Sequence, residues 1–166
     1  MDPLSKDVLS QLFGAEQEIL PPAGHKAPRL TSADHWTPAI LLERAAYLRK
    51  LARHSNGSAS ETLKEYPRHA AMLSFRGRDG EAEVHENFAD IFLVLAGRAT
   101  LVTGGTVGGA RTIGPGETRG ASIEGGARQE LRAGDVVHIP AGEPHQVLVA
   151  GENTFTALVV KIQENP

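Results

Sequence analysis

The spacing of hydrophobic and polar positions changes along this chain near residue 70. Before that point, apolar residues recur at helical spacing among Arg, Lys and Glu. Asp2–Phe13 carries Leu4, Val8, Leu9 and Leu12 on one face and ends at Gly14, which predicts a short amphipathic helix. Pro21, Pro22, Gly24 and Pro28 then predict an irregular connector. A second helix is predicted from near Pro38, where Ile40, Leu41, Arg44, Ala45, Leu48, Leu51 and Ala52 follow the helical period. Arg49, Lys50 and Arg53 suit its C-terminal end. His54–Ser60 reads as a loop, and Glu61–Glu65 as a further turn.

From Ala70 onward, short apolar runs alternate with Gly-rich turns. Strands are predicted at Ala70–Arg76, Ala82–Glu86, Ile91–Ala96, Ala99–Val102, Gln129–Arg132, Val136–Ile139, Gln146–Val149 and Phe155–Ile162. Many short strands with regular turns mean a sandwich or a barrel. The expected organisation is therefore a helical extension over 1–65 and a β-barrel domain over 66–166. Between Gly104 and Gly126 the chain is glycine-rich and poor in apolar residues. This stretch reads either as a flexible loop or as a lid over a pocket.

Composition narrows the chemistry. The chain has 166 residues, a net charge of −3 and no cysteine. That length buries a sizeable core without staples. The missing cysteines exclude disulfides, thiolate metal sites and a cysteine nucleophile, so any metal must sit on His, Asp and Glu. There is no basic excess to attract nucleic acid. No run approaches the roughly 18 apolar residues of a membrane span. MDPLSKDVLSQLF lacks the apolar core of a secretory signal. The expected location is the cytoplasm, with no membrane or nucleic-acid partner. GGTVGG and GPGETRG are not phosphate loops, because no Gly-Lys-Ser/Thr ending or following helix accompanies them. No G-x-S-x-G nucleophile elbow occurs either.

Two stretches have matched spacing. In the first, five residues separate Gly77 from Glu83, His85 follows, four residues lead to Asp90, and six more lead to Gly97. In the second, GDVVHIPAGEPH, five residues separate Gly134 from Pro140-Ala141-Gly142, and two more precede His145. This pair resembles the two motifs of the cupin superfamily, as do the strings ADIFLVLAGRATLVTGG and GDVVHIPAGEPHQ. The resemblance covers about residues 70–162. It implies an all-β double-stranded β-helix, a jelly-roll barrel with one metal pocket inside, here carrying an N-terminal helical extension.

Carried over by position, the resemblance implies metal ligands at Glu83, His85, Asp90 and His145. Three positions depart from the pattern. Glu83 stands where the family usually has a His, Asp90 where it has a Glu, and Val149 where the second motif ends in Asn. Glu83 and His85 are two apart on a strand and share a face, as a chelating pair needs. Two His with two carboxylates suit Fe(II), Mn(II), Ni(II) or Zn(II). Without Glu83, the remaining three form a two-His-one-carboxylate set. A metal-free polar pocket is the alternative, with Asp90 bonded to His85 or capping a turn and Glu83 exposed.

The family hosts metal-dependent dioxygenases, isomerases, epimerases and decarboxylases, and also sensors and storage proteins. The resemblance therefore implies a small polar ligand over a divalent metal without selecting a reaction, and it implies a homodimer. A non-catalytic binding or sensing module is the other functional reading. Among the remaining residues, His138 alternates with valines and reads as interior-facing, while His69 opens the first barrel strand as a lesser pocket candidate. His25, His35 and His54 read as surface residues, Trp36 as a packing anchor, and Gln146 as pointing away from His145. Lys161 is left facing either way.

Overall fold

The computed structural model describes residues 33–164. The helix expected over Asp2–Phe13, the Pro-rich connector and His25 lie outside the described residues. Thr37 caps helix α1 (Pro38–Ala52), its hydroxyl accepting from the Ile40 amide at 3.3 Å, with Pro38 in the first turn. Leu41, Ala45, Leu48 and Ala52 are buried along one face. They meet Leu73 and Phe75, and Trp36, Ala59, Leu63 and Leu158 close round them. Each fully buried leucine in such a contact contributes roughly 1.5–3 kcal/mol. Trp36 is thus the packing anchor its neighbourhood predicts.

The strands that follow are β1 (Ser58–Tyr66), β2 (His69–Arg76), β3 (Ala82–His85), β4 (Phe88–Thr103), β5 (Thr106–Gly108), β6 (Arg111–Gly114), β7 (Glu117–Gly120), β8 (Ser122–Glu124), β9 (Ala127–Arg132), β10 (Val136–Ile139), β11 (His145–Leu148) and β12 (Phe155–Gln163). The first half of β4 lies in one sheet with β1, β2, β12 and β10. Its second half lies in the other, between β9 and β11, and β11 leads on to β3, β7 and β6. All pairings are antiparallel, and the chain crosses repeatedly from one face to the other. That is the winding of a double-stranded β-helix. Met72, Phe92, Leu101, Leu131, Ile139, Val147 and Phe155 fill the space between the two sheets.

Gly97 is where β4 changes sheets. Its φ is +79°, and a Cβ there would sit 1.9 Å from the Thr154 carbonyl oxygen. Only glycine lets the two backbones pass so closely. The two strands expected at Ile91–Ala96 and Ala99–Val102 are accordingly one long strand bent at this point.

Two stretches differ from the sequence reading. Ser58–Tyr66 is a strand, where a loop and a turn are expected. Its small and polar residues conceal a period of two, with Ala59 and Leu63 turned onto the helix cluster. Arg44 clamps Glu61 from α1 with a paired hydrogen bond of 2.6 and 2.7 Å. Residues 104–126 are not one flexible loop, and Arg119 from within them lines a cavity. They form β5–β8, of which β7 pairs with β3 and so joins the barrel wall.

Candidate metal centre

Glu83 and His85 lie two apart on β3, so both side chains take the same face. His145, at the start of β11, is the register partner of Glu83. The turn before His145 is fixed by Gly142, whose φ is +80° and whose amide donates to the His85 carbonyl at 2.7 Å. Pro140 and Gly142 therefore tie the second motif to the first and bring the two imidazoles to 5.3 Å between ring centres. Asp90 approaches from the first half of β4.

Four atoms converge. His85 Nε2 lies 3.2 Å from Glu83 Oε2 and 3.7 Å from Asp90 Oδ2. His145 Nε2 lies 3.9 Å from Glu83 Oε2 and 3.6 Å from Asp90 Oδ2. Both imidazoles are almost wholly buried. Ligand atoms of Glu83, His85 and His145 all lie within 4.8 Å of one another. Asp90 stands beside this group, with its second oxygen, Oδ1, held by Lys161 Nζ at 2.6 Å.

The outer nitrogens of both rings are engaged. His85 Nδ1 donates to Glu117 Oε2 at 2.6 Å, and His145 Nδ1 donates to the Glu143 carbonyl at 3.0 Å. These partners place the proton on Nδ1 and aim the Nε2 lone pair inward. Among the described residues neither Nε2 has a hydrogen-bond partner. Buried imidazole lone pairs facing carboxylate oxygens repel unless a proton or a cation lies among them. Two imidazoles with carboxylates form a donor set suited to a borderline divalent ion. The residues present fit a metal.

Burial alone would raise the Glu83 pKa, but His85, Arg119 and Arg76 outweigh it and hold the carboxyl well below its ordinary value. Burial and Lys161 push His85 down, yet Glu117, Glu83 and Asp90 together bring it above the usual imidazole value. His145 is lowered, chiefly by burial, against the pull of Glu83 and Asp90.

With the two sheets and the two motifs placed, the fold can be named. The chain has the cupin fold. The strand order and the convergence of side chains from both motifs, with His145 in register with Glu83, carry that assignment. No protein-family model and no curated protein sequence matches the chain. Among solved structures it is similar to a Klebsiella pneumoniae protein with a double-stranded β-helix domain, at 20% identity and a TM-score of 0.49, over 67% of this chain and 82% of that one. It is also similar to a cupin 2 conserved barrel domain protein from Salinispora arenicola, at 22% identity and a TM-score of 0.46, over 66% of this chain and 79% of that one. A third is the DMSP lyase DddQ from Ruegeria pomeroyi, at 23% identity and a TM-score of 0.46, where the match covers 64% of this chain and 47% of that one.

Several residues of the cupin barrel escape a reading by motif. Glu117 and Arg119 come from the Gly-rich stretch, both buried on β7. Their spacing of two was the available signal. Lys161 is a lone charge in the apolar strand β12 and shares its inward face with Phe155, Ala157 and Val159. Gln146 points away from His145, as expected, but is buried. Its Nε2 donates to the Gly80 and Ala121 carbonyls at 2.8 and 3.1 Å, and its Oε1 accepts from the Ile123 amide at 3.2 Å. That amide group fastens the Gly-rich stretch to the barrel.

The remaining histidines lie elsewhere. His138 is exposed, 3.8 Å from Glu164, which corrects its expected inward placement. In β10 it is Val137 and Ile139 that pack on the core, so Val136 and His138 face out. His69 is exposed and stacks on the Tyr66 ring at 4.3 Å. His35 and His54 are exposed as expected.

Proposed function

We propose that this chain is a small cupin that holds one divalent ion, Fe, Mn, Ni or Zn, on Glu83, His85 and His145, with Asp90 beside them, and binds a small polar molecule next to it. One observation supports this reading most: two buried imidazole Nε2 atoms without hydrogen-bond partners face carboxylate oxygens. A bound ion would supply Lewis acidity or a site for O₂ beside the cavity, which makes metal-dependent enzymatic chemistry the functional reading. The chain's own residues do the rest. Glu117 and the Glu143 carbonyl hold the imidazole tautomers, Lys161 positions Asp90, and Arg76 and Arg119 keep Glu83 ionised. Phe92 and Val147 line the adjoining cavity and limit water there.

Adding Mn(II), Fe(II), Ni(II) or Zn(II) to chelator-treated protein is expected to raise Tm. At 100 times the dissociation constant the gain is about 2.7 kcal/mol, or roughly 5–10 °C for a domain of this size. No shift with any of the four contradicts the reading. The shift is also pH-dependent. Ligation needs neutral imidazole, and His85 keeps its proton to higher pH than an ordinary histidine. Metal stabilisation therefore fades as pH falls through the His85 pKa. In the metal-free protein the sign reverses. The raised His85 pKa contributes stability below the unfolded value, and that contribution is lost as pH rises. A metal shift unchanged into acid contradicts ligation by His85.

We further propose a cytoplasmic homodimer. Among the described residues β1 is an end strand of the sheet, paired only with β2, and an end strand is where a second copy could pair. Light scattering is expected to give twice the chain mass of 17.7 kDa. A monomer mass contradicts that assembly.

A further inference from the structure

The cavity beside the metal centre measures about 100 Å³. At about 10–15 Å³ for each water-sized occupant, it takes roughly seven to ten non-hydrogen atoms. Its lining has two characters. Met72, Phe92, Phe155 and Val159 make an apolar wall. Interleaved with it on the same strand faces are Arg76, four residues after Met72 on β2, and Lys161, two residues after Val159 on β12, with Arg119 on β7 and with Glu83 and Asp90 at the metal end. Arg119 and Lys161 are buried, while Arg76 is half-buried on β2.

Charge at this place is nearly balanced before any ion enters. Three cations, Arg76, Arg119 and Lys161, face three carboxylates, Glu83, Asp90 and Glu117, within 2.6 to 3.7 Å of one another in pairs. A divalent cation adds two positive charges that these side chains do not offset. Positive charge added among the buried Arg119, Lys161 and Asp90 is costly until an anion joins it. Arg76 suits the reception of that anion. Its guanidinium lies against Gly80, so close that a Cβ there would meet Nη1 at 2.7 Å, and it stands 3.6 Å from Glu83. A guanidinium fork matches the planar geometry of a carboxylate. An inorganic anion would leave the apolar wall facing water, whereas an organic acid covers it.

We propose that the cavity binds a small carboxylic acid as its anion, with the carboxylate on Arg76 at the metal end and the carbon body on Met72, Phe92, Phe155 and Val159. The inference rests on the metal reading above. Its test uses the full chain saturated with Mn(II), with isobutyrate and its neutral amide, isobutyramide, compared at equal concentration and matched ionic strength. At about ten times its dissociation constant, isobutyrate is expected to raise Tm by about 3–5 °C, and isobutyramide by about 1 °C or less. In Arg76→Gln, assayed at saturating Mn(II), the acid is expected to lose its advantage over the amide. Equal shifts from acid and amide in the unmutated chain overturn the inference while leaving the metal reading standing. A full advantage for the acid in Arg76→Gln overturns it as well. If Mn(II) alone leaves Tm unchanged, the metal reading fails and this inference fails with it.

Discussion

Alanine at His85 or at His145 is expected to weaken divalent-metal binding by more than about 100-fold. Either change removes one of the two inward-facing Nε2 atoms, and the carboxylates left behind do not replace a nitrogen donor. The scale follows from a comparison. Changing a residue that only orients a ligand typically costs about 10–100-fold in metal affinity, and loss of the ligand itself costs more. Glu117→Gln supplies that internal comparison, because Glu117 bonds His85 Nδ1 at 2.6 Å and lies on the side away from the converging atoms. Its effect is expected to fall within about 10–100-fold, below that of either alanine variant. Competition against a chromophoric chelator measures all three, and circular dichroism checks that each is folded. Folded alanine variants that bind metal as tightly as the unmutated chain would refute the assigned ligands.

The second large effect concerns stability. Lys161 and Asp90 form a buried pair at 2.6 Å, with side-chain exposures of 5% and 3%. Removing one partner strands the other charge in the barrel. Lys161→Met, measured by urea unfolding in the presence of chelator, is expected to cost about 3–5 kcal/mol. The double variant Lys161→Met with Asp90→Leu is expected to recover most of that loss, since an apolar pair of similar bulk removes the stranded charge. A single variant within about 0.5 kcal/mol of the unmutated chain would show that Asp90 is not held as an ion by Lys161. The two experiments separate the roles of Asp90. Competition against the chromophoric chelator on Asp90→Leu reads its Oδ2, and the unfolding assay reads its Oδ1.

Much of this barrel is legible in the sequence because its two motifs are short, local and rigid. Gly97, Pro140 and Gly142 stand where the backbone must bend or turn, and their spacing to His85 and His145 survives into the fold. Most expected strands recur with shifts of a residue or two at their ends, while Ile91–Ala96 and Ala99–Val102 are parts of β4, which begins three residues earlier at Phe88. The stretches that misread have physical reasons. Ser58–Tyr66 earns its place as a strand from Ala59 and Leu63 against α1 and from the Arg44–Glu61 pair, contacts that a local pattern of Ser, Glu and Lys does not reveal. Residues 104–126 are rich in glycine for tight reversals between short strands, which looks the same in sequence as a flexible loop. His138 misreads because alternation fixes a period but not which face is inward, and the core contact of Val137 decides it.

The site divides in the same way. Glu83, His85, Asp90 and His145 are found by position within the motifs, and the fold brings all four to one place. The residues that govern their charge are not found that way. Glu117 and Arg119 arrive through the pairing of β7 with β3, and Lys161 through the pairing of β12 with β4. Each of these is a long-range register that no local spacing encodes. Lys161 nevertheless carries a readable signal, a single charge within the inward-facing set of an apolar strand. A buried lysine of that kind calls for a carboxylate partner.

The central claim is that this barrel carries a metal. The most direct measurement is the metal content of the full chain, expressed and purified without chelator, by elemental analysis. The account predicts about one divalent ion per chain, which is retained on dialysis at neutral pH and lost in the alanine variants of His85 and His145. Less than about 0.2 ion per chain, together with no gain in Tm on adding Mn, Fe, Ni or Zn, would contradict it.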